Sequence, residues 1–429
     1  MSWFRVILVC VAVFLTVGCS RDDHSGVLRV AVPGQPANLD VNRTYDAIAG
    51  LMLLQMHEGL TRHDQDLAVQ PALASHWEFS DDFKSVVFHL RPDATWSDGK
   101  PIVAGDFEYG WKRLLDPKTA AEYAYFMFDI VGAEAFNNGS GTAQDVGVHA
   151  VDAHTLSVQF NRAAPYFTHI TTFIVTHPVR RDIVEKYGDA WTLPENIVVS
   201  GAFRPTELQP EYRMTLEPNP FWVLGKPAIQ KLELYMTAER STSMNLFISG
   251  DLDVVVDMLP LAIPAFAGNP AYVNAPKLET RYVGFRVDKA PFDNVKVRQA
   301  LAHAIQRVEF PGVLKGGEIP AAAWLPPGMF GHTESVGLQY DPDRARALLA
   351  EAGYPDGKGF PDTTLLFRAG EDWSLIAENL QEQWRRELNI PIKIEVREQK
   401  VFFQEIDGES PPPRIWRGGL LISRTPRTS

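Results

Sequence analysis

The sequence predicts an α/β fold, and the prediction depends on two features of the 429-residue chain. Residues 363–367 and 392–396 have the composition of strands, and a helical pattern at 372–388 separates them. A strand, a helix and a second strand in this order form a βαβ unit with parallel strands. The second feature is size, because a chain of this length with 45% hydrophobic residues can bury two or three hydrophobic cores.

Short strands and one amphipathic helix are predicted for the first half of the chain, where apolar and polar residues alternate between Gly, Pro and Asp turns. A helix is predicted to open near Gly105 and to end at Asp116, with one buried face formed by Phe107, Trp111, Leu114 and Leu115. The other predicted elements are a strand and turn at 26–36, a helix at 48–56, strands at 76–79, 86–90 and 212–216, a hairpin of 148–151 with 155–160, and a helix from Pro178 to Tyr187.

Longer helices are predicted from about residue 285 onward. Asp293 is predicted to cap a helix whose buried face contains Val297, Ala300, Leu301, Ala304 and Ile305. Asp341 and Pro342 are predicted to cap and start another helix, which Gly353 ends. One further strand is predicted at 415–422, and the basic residues after it have no core-forming pattern.

The N-terminus predicts export and lipid attachment. Residues 6–17 form an apolar run that is too short to span a membrane and has the length of a signal-peptide core. The run leads into Leu15-Thr16-Val17-Gly18-Cys19, which resembles the site at which a lipoprotein is cleaved and its cysteine acylated. We therefore expect a signal peptide at 1–18, lipidation of Cys19 and a tether at 19–27, with a plain signal peptide as the alternative.

Cysteine and charge counts exclude several classes of protein. The only cysteines are Cys10 and Cys19, so after cleavage no internal disulfide and no cysteine-based metal site can form. The formal net charge is -12 and no polybasic run is present, so nucleic acid is not an expected partner.

No motif for catalysis, a cofactor or a metal emerges. The glycines at 353–359 imitate a phosphate-binding loop, but they follow a helix, so we interpret them as a turn. The eleven histidines are scattered, and His57 and His63 lack the helical spacing of metal-binding pairs. The acidic pairs at 81–82 and at 251 and 253 are interpreted as solvated turns. We expect no enzyme, no cofactor and no metal, with a secreted hydrolase as the alternative from another class.

Aromatic residues are the positive signal for a binding site. The chain has 10 Trp, 12 Tyr and 24 Phe, and most of these must fill cores. The clusters at 123–126 and 165–167 lie near predicted loops and are candidates for lining a cleft, since a tyrosine ring packs while its hydroxyl forms hydrogen bonds.

Three blocks of sequence resemble the extracellular solute-binding proteins of family 5, of the oligopeptide-binding type. The first block, at 57–60 and 73–120, includes His57-Glu58-Gly59-Leu60, Leu73-Ala74-Ser75-His76-Trp77, Trp96-Ser97-Asp98-Gly99-Lys100-Pro101 and Asp106-Phe107 with Trp111 and Arg113. The second block lies at 188–203, and the third is Ala290-Pro291-Phe292-Asp293 with Val297-Arg298. The likeness runs from about residue 28 to about 419.

The resemblance implies a periplasmic-binding-protein-like clamp of two lobes with an extra middle domain. Lobe I would comprise 28–60 and 178–284, the middle domain 61–177, and lobe II 285–429. A short peptide would lie between the lobes, and the protein, a monomer on its lipid anchor in the cell envelope, would deliver it to the permease of an ABC transporter. Hinge motion would open and close the clamp.

The resemblance also implies ligand-binding residues. Tyr123 matches the family's tyrosine after an Asp-Pro-x-Thr-Ala run, with packing in the middle domain as the alternative role. Arg417 matches the arginine before the family's Gly-Trp-x-Ala-Asp segment, with a surface arginine as the alternative. Trp416 beside it, and Gly201 and Phe203 in the second block, complete the set.

The sequence departs from the family after Gly419. It continues Leu420-Leu421-Ile422-Ser423, so the aspartate that pairs with the α-amino group of a peptide is absent. The remaining stretch of lobe II is absent as well, and we expect an incomplete lobe. Two alternatives therefore stay open: an inactive product of a frameshift, and a family member that binds a dipeptide, a metal chelate or a sugar.

Overall fold

The computed structural model describes residues 26–274, 279–327, 332–333, 335–398, 401–402, 405 and 415–416. These residues form two compact units, the first ending at Asp257 and the second beginning at Met258. The predicted signal peptide, Cys19 and most of the tether lie outside the described residues. Among the described helices, none combines the length and apolar character that crossing a membrane requires. The predicted boundaries of the lobes and the middle domain stay a prediction.

The first unit contains eleven strands and six α-helices within the described residues. The strands are β1 Val27–Val32, β2 Thr61–His63, β3 Val69–Pro71, β4 Ala74–Phe79, β5 Ser85–Leu90, β6 Val148–Ala150, β7 Thr155–Gln159, β8 Phe203–Gln209, β9 Arg213–Pro218, β10 Lys231–Met236 and β11 Val254–Val255. The helices are α1 Ala47–Met56, α2 Ala104–Leu115, α3 Ala133–Asn137, α4 Phe167–Ile170, α5 Arg181–Tyr187 and α6 Arg240–Ser249.

Two sheets of four or five strands organise this unit, and β2 and β3 form a separate antiparallel pair. The larger sheet has the order β11-β1-β10-β9-β8, with β1 parallel to both of its neighbours and the remaining pairs antiparallel. The second sheet has the order β4-β5-β7-β6 and is antiparallel throughout, which confirms the predicted hairpin of β6 with β7. One continuous apolar core contains residues of both sheets.

Helix α2 connects the second sheet to this core. Its four predicted inward residues are fully buried, as the helical spacing requires. Asp106 accepts a hydrogen bond from the backbone of Val103 at 3.0 Å and one from Trp96 Nε1 at 3.0 Å, so it caps the helix and anchors the indole. Trp111 Nε1 donates to the carbonyl of Thr176 at 2.7 Å, which satisfies its one polar group inside the core.

Two predicted boundaries in this unit are wrong. The helix predicted from Pro178 begins at Arg181, because Val179 is buried against Gly110 and Arg180 has extended backbone angles. The strand predicted from Tyr212 begins at Arg213, since the amide of Tyr212 donates to Gln209 O at 3.1 Å and closes a turn. Packing of Val179 decides the first boundary, and a local turn decides the second.

The second unit contains a four-stranded sheet and five α-helices within the described residues. The strands are β12 Gly284–Phe285, β13 Thr363–Arg368, β14 Ile392–Arg397 and β15 Ile415–Trp416, in the order β12-β15-β13-β14. The helices are α7 Ile263–Phe266, α8 Val295–His303, α9 Phe310–Leu314, α10 Pro342–Glu351 and α11 Glu371–Leu388. β13 and β14 are parallel in register from Thr363 with Ile392 to Arg368 with Arg397, which confirms the predicted βαβ unit.

The caps of the helices in this unit partly follow the prediction. Asp341 caps α10 by accepting from the amide of Arg344 at 2.9 Å. Asp293, however, does not cap α8: Asn294 does so, with its side-chain oxygen accepting from the amide of Lys296 at 2.9 Å. Ala304 and Ile305 are buried as predicted but lie beyond the end of α8. Of the strand predicted at 415–422, residues 415–416 are described, and they pair with β12 and β13.

Candidate ligand-binding residues

Tyr123 lies in the loop that follows α2. Asp116 ends that helix and caps a short turn, Pro117–Thr119, and Ala120 then adopts a left-handed backbone conformation at φ 51°. This geometry brings Tyr123 against Tyr45, where its hydroxyl donates to the carbonyl of Tyr45 at 3.3 Å. Burial raises the pKa of the Tyr123 phenol to about 12, so the hydroxyl is a neutral donor at physiological pH.

Tyr123 belongs to an aromatic cluster that also contains Tyr125, Phe126 and Phe173. The Tyr123 ring lies edge-on to Phe173 at 5.2 Å and to Phe126 at 5.7 Å between centroids, while Tyr125 stacks on Phe126 at 4.6 Å. Tyr125 is exposed, whereas Tyr123 and Phe173 are partly buried and pack against the core of the first unit. The cluster therefore combines a partly exposed apolar surface with phenol hydroxyls, a combination suited to binding amphipathic solutes.

Gly201 and Phe203 lie together at the start of β8. The amide of Gly201 donates to Met56 O at 2.8 Å, and a Cβ at Gly201 would lie 2.6 Å from the backbone nitrogen of His57. Asn219 Nδ2 donates to the carbonyl of Gly201 at 2.9 Å. Phe203 is 7% exposed and belongs to the core. The structure thus gives both residues a packing role, and ligand contact by them stays a prediction.

The remaining predicted site residues lie at the C-terminal end. The backbone of Trp416 pairs with Gly284 and with Leu366, which places it in the sheet of the second unit. Arg417 lies outside the described residues, as does Cys19. Tyr123, Gly201 and Phe203 belong to the first unit, and Trp416 belongs to the second.

The two acidic pairs have structural roles: one stabilises a turn, and the other links two segments of the chain. Asp82 accepts from Ser80 Oγ at 2.8 Å and from the amide of Lys84 at 3.1 Å, which confirms the predicted turn. Asp253 differs from the prediction, because both of its oxygens bind the Arg29 side chain and it thereby ties β1 to the segment before β11.

Glu58 is a partly buried carboxylate that the sequence pattern did not single out as a candidate site residue. Burial raises the pKa of Glu58, with the nearby charge of Arg62 and a hydrogen bond from Trp222 acting in the opposite direction. Trp222 Nε1 donates to Glu58 Oε2 at 3.2 Å, and the amide of Glu58 donates to Ser200 Oγ at 2.9 Å. The signal available in the sequence was its position in the His57-Glu58-Gly59-Leu60 motif.

Comparison with known proteins identifies the family. The family model described as bacterial extracellular solute-binding proteins, family 5 Middle, matches residues 68–415. The oligopeptide-binding protein OppA of Bacillus subtilis is 30% identical over 409 residues, which cover 91% of this chain and 75% of the relative. The probable deoxycholate-binding periplasmic protein YgiS of Escherichia coli is 30% identical over 388 residues, 88% of this chain and 72% of the relative.

The solved structures agree with this match. The murein tripeptide-binding protein MppA of Escherichia coli superposes with a TM-score of 0.84 at 28% identity, covering 92% of this chain and 79% of that one. This likeness confirms the predicted α/β fold of the periplasmic-binding-protein type. The chain belongs to the bacterial extracellular solute-binding proteins of family 5.

Proposed function

We propose that this chain captures oligopeptides in the cell envelope and delivers them to an ABC transporter, without covalent chemistry on the ligand. The observation that carries the proposal is the 30% identity, over 91% of the chain, with an oligopeptide-binding protein. Several other relatives and solved structures are also named for binding peptides. The resemblance in the second sequence block points to the same ligand class.

A clamp of two lobes explains how such a protein holds peptides of different sequence. Lobe I at 28–60 and 178–284 and lobe II from residue 285 would enclose the peptide, with 61–177 as the middle domain. Hydrogen bonds to the peptide backbone are independent of side-chain identity, and water in roomy side-chain pockets adapts to each ligand. Opening and closing by hinge motion would then allow capture and release.

Tyr123 is the ligand contact that we propose for the first unit. Its hydroxyl is neutral, lies 3.3 Å from a backbone carbonyl, and belongs to a half-exposed aromatic cluster. A phenol in this position can accept from a peptide amide, or turn its hydrogen from Tyr45 to a peptide carbonyl, while the ring supports an apolar side chain. Arg417 and Trp416 would contribute from lobe II, and acylated Cys19 would hold the protein on the membrane.

A second candidate ligand is an amphipathic sterol acid. The relative named as a probable deoxycholate-binding protein is as similar to this chain as the Bacillus peptide-binding protein, at 30% identity. An aromatic cluster with phenol hydroxyls also suits a rigid apolar ring system that carries one carboxylate.

Thermal unfolding with and without ligand tests the proposal. We would produce the chain from Ser20 onward and add either a pool of tripeptides and pentapeptides or deoxycholate below its micelle concentration. A ligand present at 100 times its dissociation constant stabilises the native state by about 2.7 kcal/mol, which raises the melting temperature of a chain of this length by roughly 3 °C. A rise with peptides supports the proposal, a rise with deoxycholate alone favours the second candidate, and no rise with either contradicts both.

Variants at Tyr123 separate binding from folding. Tyr123→Phe keeps the ring packing and removes the hydroxyl, so we expect the apparent peptide affinity to fall by roughly tenfold, the value of one hydrogen bond of about 1.4 kcal/mol. The control is Tyr212→Phe, which removes an exposed phenol from the turn before β9. Equal peptide affinities for the two variants would show that Tyr123 does not contact the ligand. The proposed ligand class would be unaffected by that result.

A further inference from the structure

The outward face of the second sheet contains a cluster of metal-binding side chains. Along β4 and β5, alternate residues such as Phe88 and Leu90 point into the core, and the residues between them face outward. His76 and Glu78 on β4 are exposed, and His89 on β5 is partly exposed. None of these three residues has a part in the proposed peptide binding.

Strand register brings the three side chains together. His76 lies directly opposite His89 in the antiparallel pair, and their rings stack with centroids 4.3 Å apart and an interplanar angle of 10°. Glu78 follows His76 by two residues and therefore points to the same face of the sheet. One ligand atom from each of the three residues lies within 4.8 Å of the other two.

The hydrogen bonds of Ser75 favour one tautomer of His76. The Ser75 hydroxyl donates its only hydrogen to the carbonyl of His89 at 3.0 Å, so at its 3.0 Å contact with His76 Nδ1 it can only accept. With the hydrogen of Ser75 directed at that carbonyl, Nδ1 of His76 donates to Ser75, and Nε2 presents a lone pair. A hydrogen bond from the second ring nitrogen is the usual support of a metal-binding histidine.

A β-bulge positions Ser75 beside His76. The register of β4 against β5 shifts between Ala74 and His76, so Ser75 is the extra residue in the bulge. Bulges are common at sheet edges and beside functional sites, where they redirect a side chain. Strand β4 is an edge strand of this sheet, so the three side chains lie where solvent and ions have access.

We propose that His76, Glu78 and His89 bind one Zn²⁺ ion on the outward face of this sheet. Two imidazoles and one carboxylate form a borderline-soft ligand set that suits Zn²⁺, whereas Mg²⁺ and Ca²⁺ prefer oxygen ligands alone. Bond lengths of about 2.0–2.1 Å place neighbouring ligand atoms of a tetrahedral site about 3.3 Å apart, so the two imidazoles, which stack almost parallel, must turn towards each other to bind the ion. Water fills the fourth position.

The bound ion links β4 to β5 through side chains. It adds a cross-strand connection next to the bulge, where the hydrogen-bond ladder is interrupted. We therefore expect Zn²⁺ to stabilise the first unit, since a ligand that binds only the native state raises its stability by mass action. The inference is independent of the proposed peptide binding, and its test needs no peptide.

Calorimetric titration with ZnCl₂ tests the site. The full-length chain would carry Cys10→Ser and Cys19→Ser, so that no thiol competes for the metal, and would be kept in a mild detergent. We expect one Zn²⁺ per chain, with no corresponding binding of Mg²⁺. His76→Ala and His89→Ala should each lower the affinity by roughly tenfold or more, and Ser75→Ala should lower it by about tenfold through loss of the tautomer support.

His149→Ala is the matched control, because His149 is an exposed histidine of β6 in the same sheet and lies outside the cluster. It should leave the affinity for Zn²⁺ unchanged. Histidine side-chain ¹⁵N spectra give a second readout, in which Zn²⁺ shifts the Nε2 resonance of His76 while the ring stays neutral. The inference is overturned if Zn²⁺ binds equally well to the His76→Ala and His149→Ala variants, or if the parent chain binds none.

Discussion

The guanidinium of Arg113 lies against the carboxylate of Asp40 in a paired arrangement, with Nη1 donating to Oδ1 at 2.8 Å and Nη2 donating to Oδ2 at 2.5 Å. Both side chains are largely buried, at 15% and 8% exposure. Trp191 Nε1 also donates to Asp40 Oδ2, at 3.3 Å, and the Arg113 guanidinium lies 5.8 Å from the centre of its ring. The pair therefore joins segments that the sequence assigns to the middle domain and to both parts of lobe I.

Removal of one member of this pair should destabilise the first unit strongly. Asp40→Asn leaves the Arg113 charge buried without its carboxylate, and breaking a buried pair in this way costs about 3–5 kcal/mol. Urea unfolding followed by tryptophan fluorescence measures the change. The control is Asp189→Asn, which removes the fully exposed partner of Arg43 and should leave the unfolding midpoint unchanged. Similar midpoints for the two variants would contradict a structural role for the pair.

Two buried histidines should make folding sensitive to mild acid. Burial lowers the pKa of His57 and of His177 from the ordinary 6.5 to about 3, and for His177 the nearby His57 adds to this effect. The unfolded chain therefore takes up protons first as the pH falls. The stability that these groups contribute is present above pH 6.5 and is lost progressively towards pH 3, by at most about 1.4 kcal/mol per pH unit for each histidine.

Between pH 6.5 and pH 5, the unfolded chain takes up protons mainly on its histidines, while most of its carboxylates stay ionised. This interval therefore distinguishes the effect of the two histidines from that of the carboxylates. His57→Gln cannot take up a proton, so the slope of unfolding free energy against pH should become shallower, even if stability at pH 7 also falls. His149→Ala, at an exposed position, should leave the slope unchanged. A slope that is the same for the parent chain and the His57→Gln variant would show that this histidine does not contribute.

Gly201 should tolerate no side chain. A Cβ there would lie 2.6 Å from His57 N and 2.6 Å from Met56 C, which are backbone atoms and cannot rotate away. Gly201→Ala should therefore destabilise by about 1–3 kcal/mol or more through overpacking. Gly50→Ala is the control, since its Cβ would meet nothing within 4 Å and alanine favours the interior of α1 by about 0.5–1 kcal/mol. Thermal unfolding should move in opposite directions for the two variants.

Peptide recognition should depend little on a free α-amino group. At the position where the family has an aspartate for that ammonium, the sequence has Leu420-Leu421-Ile422-Ser423. On this resemblance, we expect no charge-assisted hydrogen bond of roughly 1.5–3 kcal/mol at this position. Fluorescence anisotropy with a labelled tripeptide, competed by the free and the N-acetylated forms of one peptide, should give similar affinities. A large loss on acetylation would mean that another carboxylate has taken over this role.

Local patterns predicted much of the fold. The inward face of α2, the βαβ unit of the second unit and the cap by Asp341 follow from periodicity and capping rules that act within one turn or one strand. The start of α5 at Arg181 was not predicted, because the packing of Val179 decides it. The cap of α8 by Asn294 was not predicted either, because Asp293 and Asn294 are adjacent and both can cap a helix.

Contacts between distant segments could not be predicted from the sequence alone. Asp40 and Arg113 are 73 residues apart, and nothing in either local pattern indicates the other. His76 and His89 become neighbours through strand register, and a spacing of 13 residues along the sequence does not indicate such a pair. Family resemblance supplied Tyr123 as a candidate, and the structure adds the aromatic cluster around it.

The most direct test of the account is a calorimetric titration of the chain from Ser20 onward with a defined tripeptide. The account predicts saturable binding of one peptide per chain, with a negative heat-capacity change from burial of apolar surface. It also predicts weaker binding by the Tyr123→Phe variant than by the Tyr212→Phe variant. Absence of binding by folded protein, across tripeptides and pentapeptides of varied sequence, would contradict the claim that this family 5 protein is a peptide receptor.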